Sequence, residues 1–170
     1  NPSFLSLNFQ ISLPLGSYPI GQHSEFKVSS GSTSTVEGAY FFNPYVGVGG
    51  RIGVTRTSVI VDKVKAEDNV FDAWRISGGA YFSYPLSERW LVGSKLLAER
   101  MHYPDLQLTN YLIDSQHSFA FGTGLSMTFR ARQRYGIRLL LDYDLMPYRA
   151  QGKRTCTHSL TLGSAFLITF

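Results

Sequence analysis

Eight segments of the sequence alternate between apolar and polar residues, the period of a β-strand whose two faces meet different surroundings. Three of the connections between them are tight turns, at 43–44, 85–89 and 131–135, whereas the connections at 14–34, 57–73, 103–116 and 148–157 are longer and polar. Because successive antiparallel strands reverse direction, short and long connections that alternate strictly lie at opposite ends of one sheet. The segments are 3–13, 35–43, 45–56, 74–84, 90–102, 117–130, 136–147 and 158–170.

The lengths of these segments suit strands that cross a bilayer. A tilted strand of about 9–11 residues spans the hydrocarbon, and barrels of the outer-membrane type have an even number of strands, short periplasmic turns and longer outer loops. The sequence therefore predicts an all-β fold, an eight-stranded antiparallel up-and-down transmembrane β-barrel. We expect residues 1–170 to form this single domain, with any export signal outside them.

The composition also indicates that strands, and not helices, cross the bilayer. Only 16% of residues are charged, against about 25% in ordinary soluble domains, and mean hydropathy is −0.06. No apolar run approaches the roughly 18 residues of a membrane helix. The 12 phenylalanines and 10 tyrosines suit pleated sheets. The single cysteine, Cys156, excludes an intramolecular disulfide.

The two faces of each predicted strand differ in size as well as polarity. In the first segment Leu5, Leu7 and Phe9 form one row, and small or neutral polar residues form the other. The lumen of an eight-stranded barrel is only wide enough for side chains to fill it, so the small row is expected inside and the bulky row against lipid. A soluble, lipocalin-like barrel with an apolar interior stays open as the alternative.

Mid-strand charges fall on the predicted inner face. Buried charges persist only when they are paired and hydrogen-bonded, so we expect a neutral lumen network that plugs the barrel. Leu97 is also predicted to face inward. Four basic and four acidic residues make up the network: Glu37, Arg51, Arg75, Lys95, Glu99, Arg138, Asp142 and Asp144.

Aromatic residues cluster near both ends of the predicted strands. Amphipathic rings prefer the headgroup level of a membrane, so we interpret the two clusters as interfacial belts. One belt, at the short-turn end, comprises Phe42, Tyr45, Tyr84, Trp90, Phe129, Tyr135 and Phe170, and the other comprises Trp74, Tyr103, Tyr143 and Tyr148.

The alternation, the asymmetry of the turns and the final aromatic give the chain a family likeness. It resembles the small eight-stranded outer-membrane barrels, the class of the OmpA transmembrane domain and OmpX. The phrases at 12–16 (SLPLG) and 78–86 (GGAYFSYPL) look like the outer-membrane β-barrel domains of Bacteroidota. The resemblance implies the outer membrane of a Gram-negative envelope. It also implies that the barrel-insertion machinery recognises the last strand through Leu162, Phe166, Ile168 and Phe170.

Candidate catalytic groups are few. His158 and Ser159 are adjacent, so in a strand they point to opposite faces and should not form a dyad. Asp142 and Asp144 share a face and would suit acid–base chemistry. We favour the interpretation that the two carboxylates neutralise arginines in the lumen. The histidine spacing matches no zinc pattern. We therefore expect no catalysis, no metal and no cofactor.

The leading functional prediction is a non-enzymatic barrel with a structural or partner-binding role, acting through its loops or as a subunit of an envelope complex. A narrow pore for ions or small solutes is the alternative, and a lipid-modifying enzyme using His158 is a further one. Scattered basic residues argue against nucleic acid. Loop cations are expected either to meet phosphates of outer-membrane lipid and glycolipid or simply to solvate the loops: Lys63, Lys65, Arg149, Lys153 and Arg154.

Overall fold

Long antiparallel strands form the wall of the molecule in the computed structural model. The structure describes residues 2–15, 18–20, 24–28, 30–61, 64–103, 105–108, 111–113, 116–150 and 153–170. Within them the strands are β1 (Phe4–Leu15), β2 (Tyr18–Ile20), β3 (Ser24–Val28), β4 (Gly31–Phe41), β5 (Val46–Val61), β6 (Val64–Pro85), β7 (Trp90–Tyr103), β8 (Leu106–Leu108), β9 (Tyr111–Ile113), β10 (Gln116–Arg130), β11 (Tyr135–Ala150) and β12 (Lys153–Thr169).

Eight of the described strands close into a ring. Its order is β1, β4, β5, β6, β7, β10, β11 and β12, and each strand is antiparallel to its neighbours. The ring closes where β12 pairs with β1, from Phe4 opposite Thr169 to Leu15 opposite His158. This confirms the predicted eight-stranded up-and-down barrel. Within the described residues there is no helix with the length and apolarity needed to span a bilayer.

Short turns at 42–45, 86–89 and 131–134 define one end of the barrel, called here the turn end. Asn43 Oδ1 accepts hydrogen bonds from the backbone N–H groups of Tyr45 and Val46 at 2.8 and 2.9 Å. Ser87 Oγ accepts from Arg89 and Trp90 in the same way. Asn and Ser favour turns because they bond to nearby backbone, and these residues hold the turns tight.

The opposite end, the outer end, differs from the prediction of long polar loops. β5 and β6 continue pairing as far as Val61 opposite Val64, and β11 and β12 as far as Ala150 opposite Lys153. β3 adds to the edge of β5, and β2 and β8–β9 form further short ladders. The β-branched residues at 59–61 suit strands, although their apolar–polar alternation is lost once the chain leaves the bilayer.

The bulky, apolar row faces outward in the part of the wall whose side chains the structure describes. Leu7, Phe9 and Ile11 of β1 are exposed, whereas the intervening Asn8 and Gln10 are buried in the lumen. The same alternation holds on β11, where Leu139 and Leu141 are exposed and Asp142 is buried. An apolar exterior combined with a polar interior is the arrangement of a transmembrane barrel and the reverse of a lipocalin-like one.

Aromatic rings surround the turn end. Trp90 and Phe129 pack with ring centroids 4.9 Å apart, and Tyr45 stacks on Tyr84 at 6.4 Å. At the outer end Trp74 and Tyr143 point outward. The prediction for Tyr103 was wrong: it is only 1% exposed and faces the lumen, because it shares strand parity with inward-facing Glu99. The Tyr148 side chain lies outside the described residues.

Candidate functional site

Arg51 is the centre of the charged lumen. Its Nε donates to Glu99 at 3.1 Å, its Nη1 to Asp142 at 2.8 Å and its Nη2 to Asp144 at 2.7 Å. Nη2 also bonds to Glu99. These carboxylates come from β7 and β11, so one guanidinium on β5 joins three strands across the barrel. All four side chains are fully or almost fully buried.

Two further cations extend this network. Lys95 Nζ lies 3.0 Å from Glu37 Oε2 and 3.1 Å from Asp142 Oδ1. Arg75 Nη1 lies 2.7 Å from Asp144 Oδ2. We call these side chains the charge layer: Glu37, Arg51, Arg75, Lys95, Glu99, Asp142 and Asp144.

Neutral polar side chains of β1 also bond to the charge layer. Asn8 Nδ2 donates to Glu37 Oε2 at 2.7 Å and Gln10 Nε2 donates to Asp142 Oδ2 at 3.2 Å. Ser6 Oγ in turn donates to Asn8 Oδ1 at 2.8 Å. The alternation placed these residues inside, but no sequence signal indicated which carboxylates they would meet, because the partners lie on other strands.

Arg138, the eighth predicted network member, is buried but stands apart. Among the described residues it makes no ion pair. Its Nε donates to Thr128 Oγ1 at 2.9 Å, and its guanidinium lies 3.7 Å from the centroid of the Phe4 ring. A cation over an aromatic face is attracted by the ring's quadrupole. Arg138 is therefore held by packing and a neutral hydrogen bond, and not by the carboxylates to which it was assigned.

Glycines of β10 make room for the charge layer. A Cβ added at Gly124 would lie 2.2 Å from Asp142 Oδ1 and 2.7 Å from Lys95 Cε. One added at Gly122 would lie 2.7 Å from Asp144 Oδ1. The small residues of the inner row thus occupy the places where charged side chains from the adjacent strands β7 and β11 must fit.

A second layer, which adjoins the charge layer and lies mainly toward the turn end of the lumen, is apolar. It consists of Phe4, Ala39, Phe41, Tyr81, Leu97 and Leu167, all buried. Phe4 and Tyr81 meet edge to face at 6.0 Å. We call this set the apolar layer. Leu97 was predicted inside, whereas the other large members were not, although each has the parity of the inward-facing residues on its own strand.

Two small cavities flank the charge layer, each with about 30 Å³ of space. One is lined by Phe4, Arg138 and Leu167 toward the turn end, and the other by Arg75 and Ser159 toward the outer end. A cavity of this size holds one or two waters, whereas a small-molecule pocket needs about 300–1,000 Å³. The lumen around the charge layer is therefore filled by side chains.

The family follows from the sequence. Residues 5–166 match the model of the outer membrane protein β-barrel domain. The chain belongs to that family. The match covers all eight strands of the ring, and it places the protein in the outer membrane with its lipid-facing row against hydrocarbon. Comparison with curated protein sequences gives no match.

Solved outer-membrane barrels share the fold at low sequence identity. Neisserial surface protein A (NspA) has a TM-score of 0.64 at 13% identity, covering 100% of this chain and 98% of its own. Ail, the attachment invasion locus protein of Yersinia pestis, solved with the heparin analogue sucrose octasulfate, has a TM-score of 0.55 at 16% identity, with 97% of each chain covered. The N-terminal β-barrel domain of Pseudomonas aeruginosa OprF has 0.52 at 9%, covering 97% and 96%.

The remaining predicted residues lie apart from the charge layer. Among the described residues no group of three or more His, Cys, Asp or Glu side chains is arranged to hold a metal. His158 lies on the outer side of β12, where its ring bonds to the Tyr143 hydroxyl, whereas Ser159 is buried in the lumen. The two side chains therefore point to opposite faces.

Two further predicted sets are the residues of the last strand that the insertion machinery would recognise and the basic residues of the loops. Leu162, Phe166, Ile168 and Phe170 all point outward. Arg154 is exposed at the outer end. Lys63 lies outside the described residues, as do the side chains of Lys65, Arg149 and Lys153.

Proposed function

We propose that the protein is a non-catalytic, non-conducting barrel that anchors a β-hairpin above the outer membrane for an envelope protein partner. The observation that carries this proposal is the contrast between a lumen filled by the charge layer and a wall that continues past the bilayer. A filled lumen favours a role outside the barrel. The strands that continue past the bilayer offer a rigid surface to which a partner can bind.

The length of the β5–β6 hairpin supports a projecting role. β6 has 22 residues, or about 70 Å of strand, which at a tilt of about 45° gives roughly 50 Å of height. The apolar band of an outer-membrane barrel is about 25 Å tall. Much of this hairpin therefore lies beyond the lipid, and the added strand β3 widens it on the side of Phe26 opposite Val61.

Shortening the hairpin tests the proposed role. Residues 58–70 would be replaced by a two-residue Asn-Gly turn joining Thr57 to Phe71, which are already paired. The matched control shortens β11–β12 by joining Tyr148 to Thr155, also a pair. After extraction of native membranes in mild detergent, we expect a stoichiometric partner to co-purify with the full chain and the control but not with the shortened hairpin.

Heat-modifiable gel migration of each variant verifies folding. Co-purification of the same partner with the β5–β6 deletion would contradict the proposed hairpin role, and so would failure of any partner to accompany the full chain.

A narrow pore is the second candidate, favoured by the polar centre of the lumen and the cavities on both sides of it. Planar-bilayer recording separates the two functions. The proposed non-conducting barrel gives no current above that of the lipid alone, whereas a steady ohmic current that scales with the amount of inserted protein would support the pore.

A further inference from the structure

Arg100 is a charged residue on the lipid-facing wall. It lies on β7 between Ile76 of β6 and Phe119 of β10 in the strand register, and it is exposed. Among the described residues it makes no ion pair. A charge on the lipid face of a barrel is costly at the midplane and tolerated near an interface, so the depth of Arg100 decides how it is solvated.

The strand register places Arg100 just inside the outer interface. Trp90 belongs to the aromatic belt at the turn end, and His102 lies twelve residues further along β7. At about 3.3 Å per residue and a tilt of about 45°, they are separated by roughly 28 Å along the barrel axis, close to the ~25 Å height of the apolar band. His102 is therefore at the outer edge, and Arg100 is about 5 Å below it.

Other polar groups lie beside Arg100 at this edge. His102 pairs with His117 across β7 and β10, and their ring centroids are 4.5 Å apart. Trp74, the other cross-strand neighbour of His102, points outward at the same level. Asp72, an acid two residues before Trp74 on β6, is already bonded to Arg56 at 3.1 Å. One guanidinium and two imidazoles are thus available at headgroup depth.

We propose that Arg100, His102 and His117 form a binding site for the phosphate of an outer-leaflet glycolipid. Long arginine side chains near a membrane edge extend toward the headgroups, and the guanidinium fork matches phosphate oxygens in a bidentate way. The imidazole N–H groups supply further donors, from His102 on the same strand and from His117 on the neighbouring strand β10. The acyl chains of the same lipid then lie along the apolar wall below Arg100.

Fluorescence quenching of Trp74 tests this site in the full chain. The sequence has 2 tryptophans, so a Trp90→Phe background leaves Trp74 as the sole reporter. In vesicles of brominated phosphatidylcholine Trp74 is quenched, and unbrominated lipid A that occupies the neighbouring site restores its emission. We expect lipid A to be preferred over phosphatidylcholine by at least about fivefold, and Arg100→Leu to lower that preference to below about twofold.

Matched lipids and variants make the outcomes decisive. Arg132→Gln, at the turn end, should keep the full preference, and Arg100→Lys should keep part of it. The protein should show no preference for dephosphorylated lipid A over phosphatidylcholine, and phosphatidylglycerol should not reproduce the preference seen with lipid A. Equal recovery with phosphorylated and dephosphorylated lipid A, equal recovery with phosphatidylglycerol, or an undiminished preference in folded Arg100→Leu protein would each overturn the proposal.

Discussion

The charge layer around Arg51 and the apolar layer around Leu167 fill one lumen, yet they depend on their neighbours in different ways. In the apolar layer each side chain contributes through its own contacts, so a truncation loses what that side chain buried. In the charge layer each group is tolerated only because oppositely charged partners bond to it, so losing one leaves the others buried and short of a partner. The difference predicts which substitutions the barrel withstands.

The largest expected effect is that of Arg51→Met. It leaves Glu99, Asp142 and Asp144 short of a cation, and breaking a buried pair costs about 3–5 kcal/mol. Urea unfolding in phospholipid vesicles, followed by gel mobility, measures the loss of unfolding free energy. Arg56→Met is the control, because the Arg56 side chain is 69% exposed and such surface pairs contribute at most about 1 kcal/mol. Similar losses for the two variants would refute the distinction.

Leu167→Ala probes the apolar layer by the same unfolding measurement. Leu167 is fully buried, and truncating a buried leucine costs about 2–5 kcal/mol through lost contacts and the cavity left behind. Leu162→Ala, on the lipid-facing row of the same strand, should cost less because lipid fills the space. A larger loss for Leu162→Ala than for Leu167→Ala would show that the inner leucine is not packed as described.

Gly124→Ala tests how tightly the charge layer fits. The added methyl group would displace the Asp142 carboxylate from Lys95, and overpacking of this kind costs about 1–3 kcal/mol. Gly78→Ala is the matched control, since the nearest atom to its added Cβ is 3.6 Å away and alanine suits a strand interior better than glycine. We expect Gly78→Ala to keep wild-type stability. If Gly124→Ala does too, the facing side chains have room to spare.

Arg138→Met should have the smallest effect of these lumen substitutions, about 1 kcal/mol or less in either direction. The guanidinium makes no ion pair among the described residues, and methionine can replace its contact with Phe4. Comparison with Arg51→Met in the same urea titration is the sharpest contrast the lumen offers, because both substitutions remove one buried arginine. A loss for Arg138→Met as large as that for Arg51→Met would mean that total charge, and not direct pairing, stabilises the interior.

Much of the fold was predictable because a strand has only two faces. Alternation identified the eight strands, the lumen charges and even the inward-facing Leu97. Pairing within the lumen was not predictable: the partners of Arg51 come from β7 and β11, and only the barrel register brings them together. The separate environment of Arg138 was missed for the same reason, since Thr128 and Phe4 lie on other strands.

The outer end and Arg100 show a different limit of the sequence pattern. Beyond Thr57 the apolar–polar alternation of the sequence ends, although the pairing of β5 with β6 continues to Val61 opposite Val64. Arg100 interrupts an apolar row, but its depth in the membrane depends on counting residues from the aromatic belt at Trp90, which requires the strand limits and tilt.

Thiol reactivity tests most directly whether the charge layer fills the lumen. Ser77 lies between Arg51 and Glu99 in the strand register, and Ser77→Cys in a Cys156→Ser background places a thiol of similar size there. The exposed native Cys156 is the positive control. In folded protein in vesicles, a charged methanethiosulfonate reagent should modify Cys156 rapidly and leave the lumen thiol unmodified. Comparable modification rates at the two positions would contradict a filled lumen.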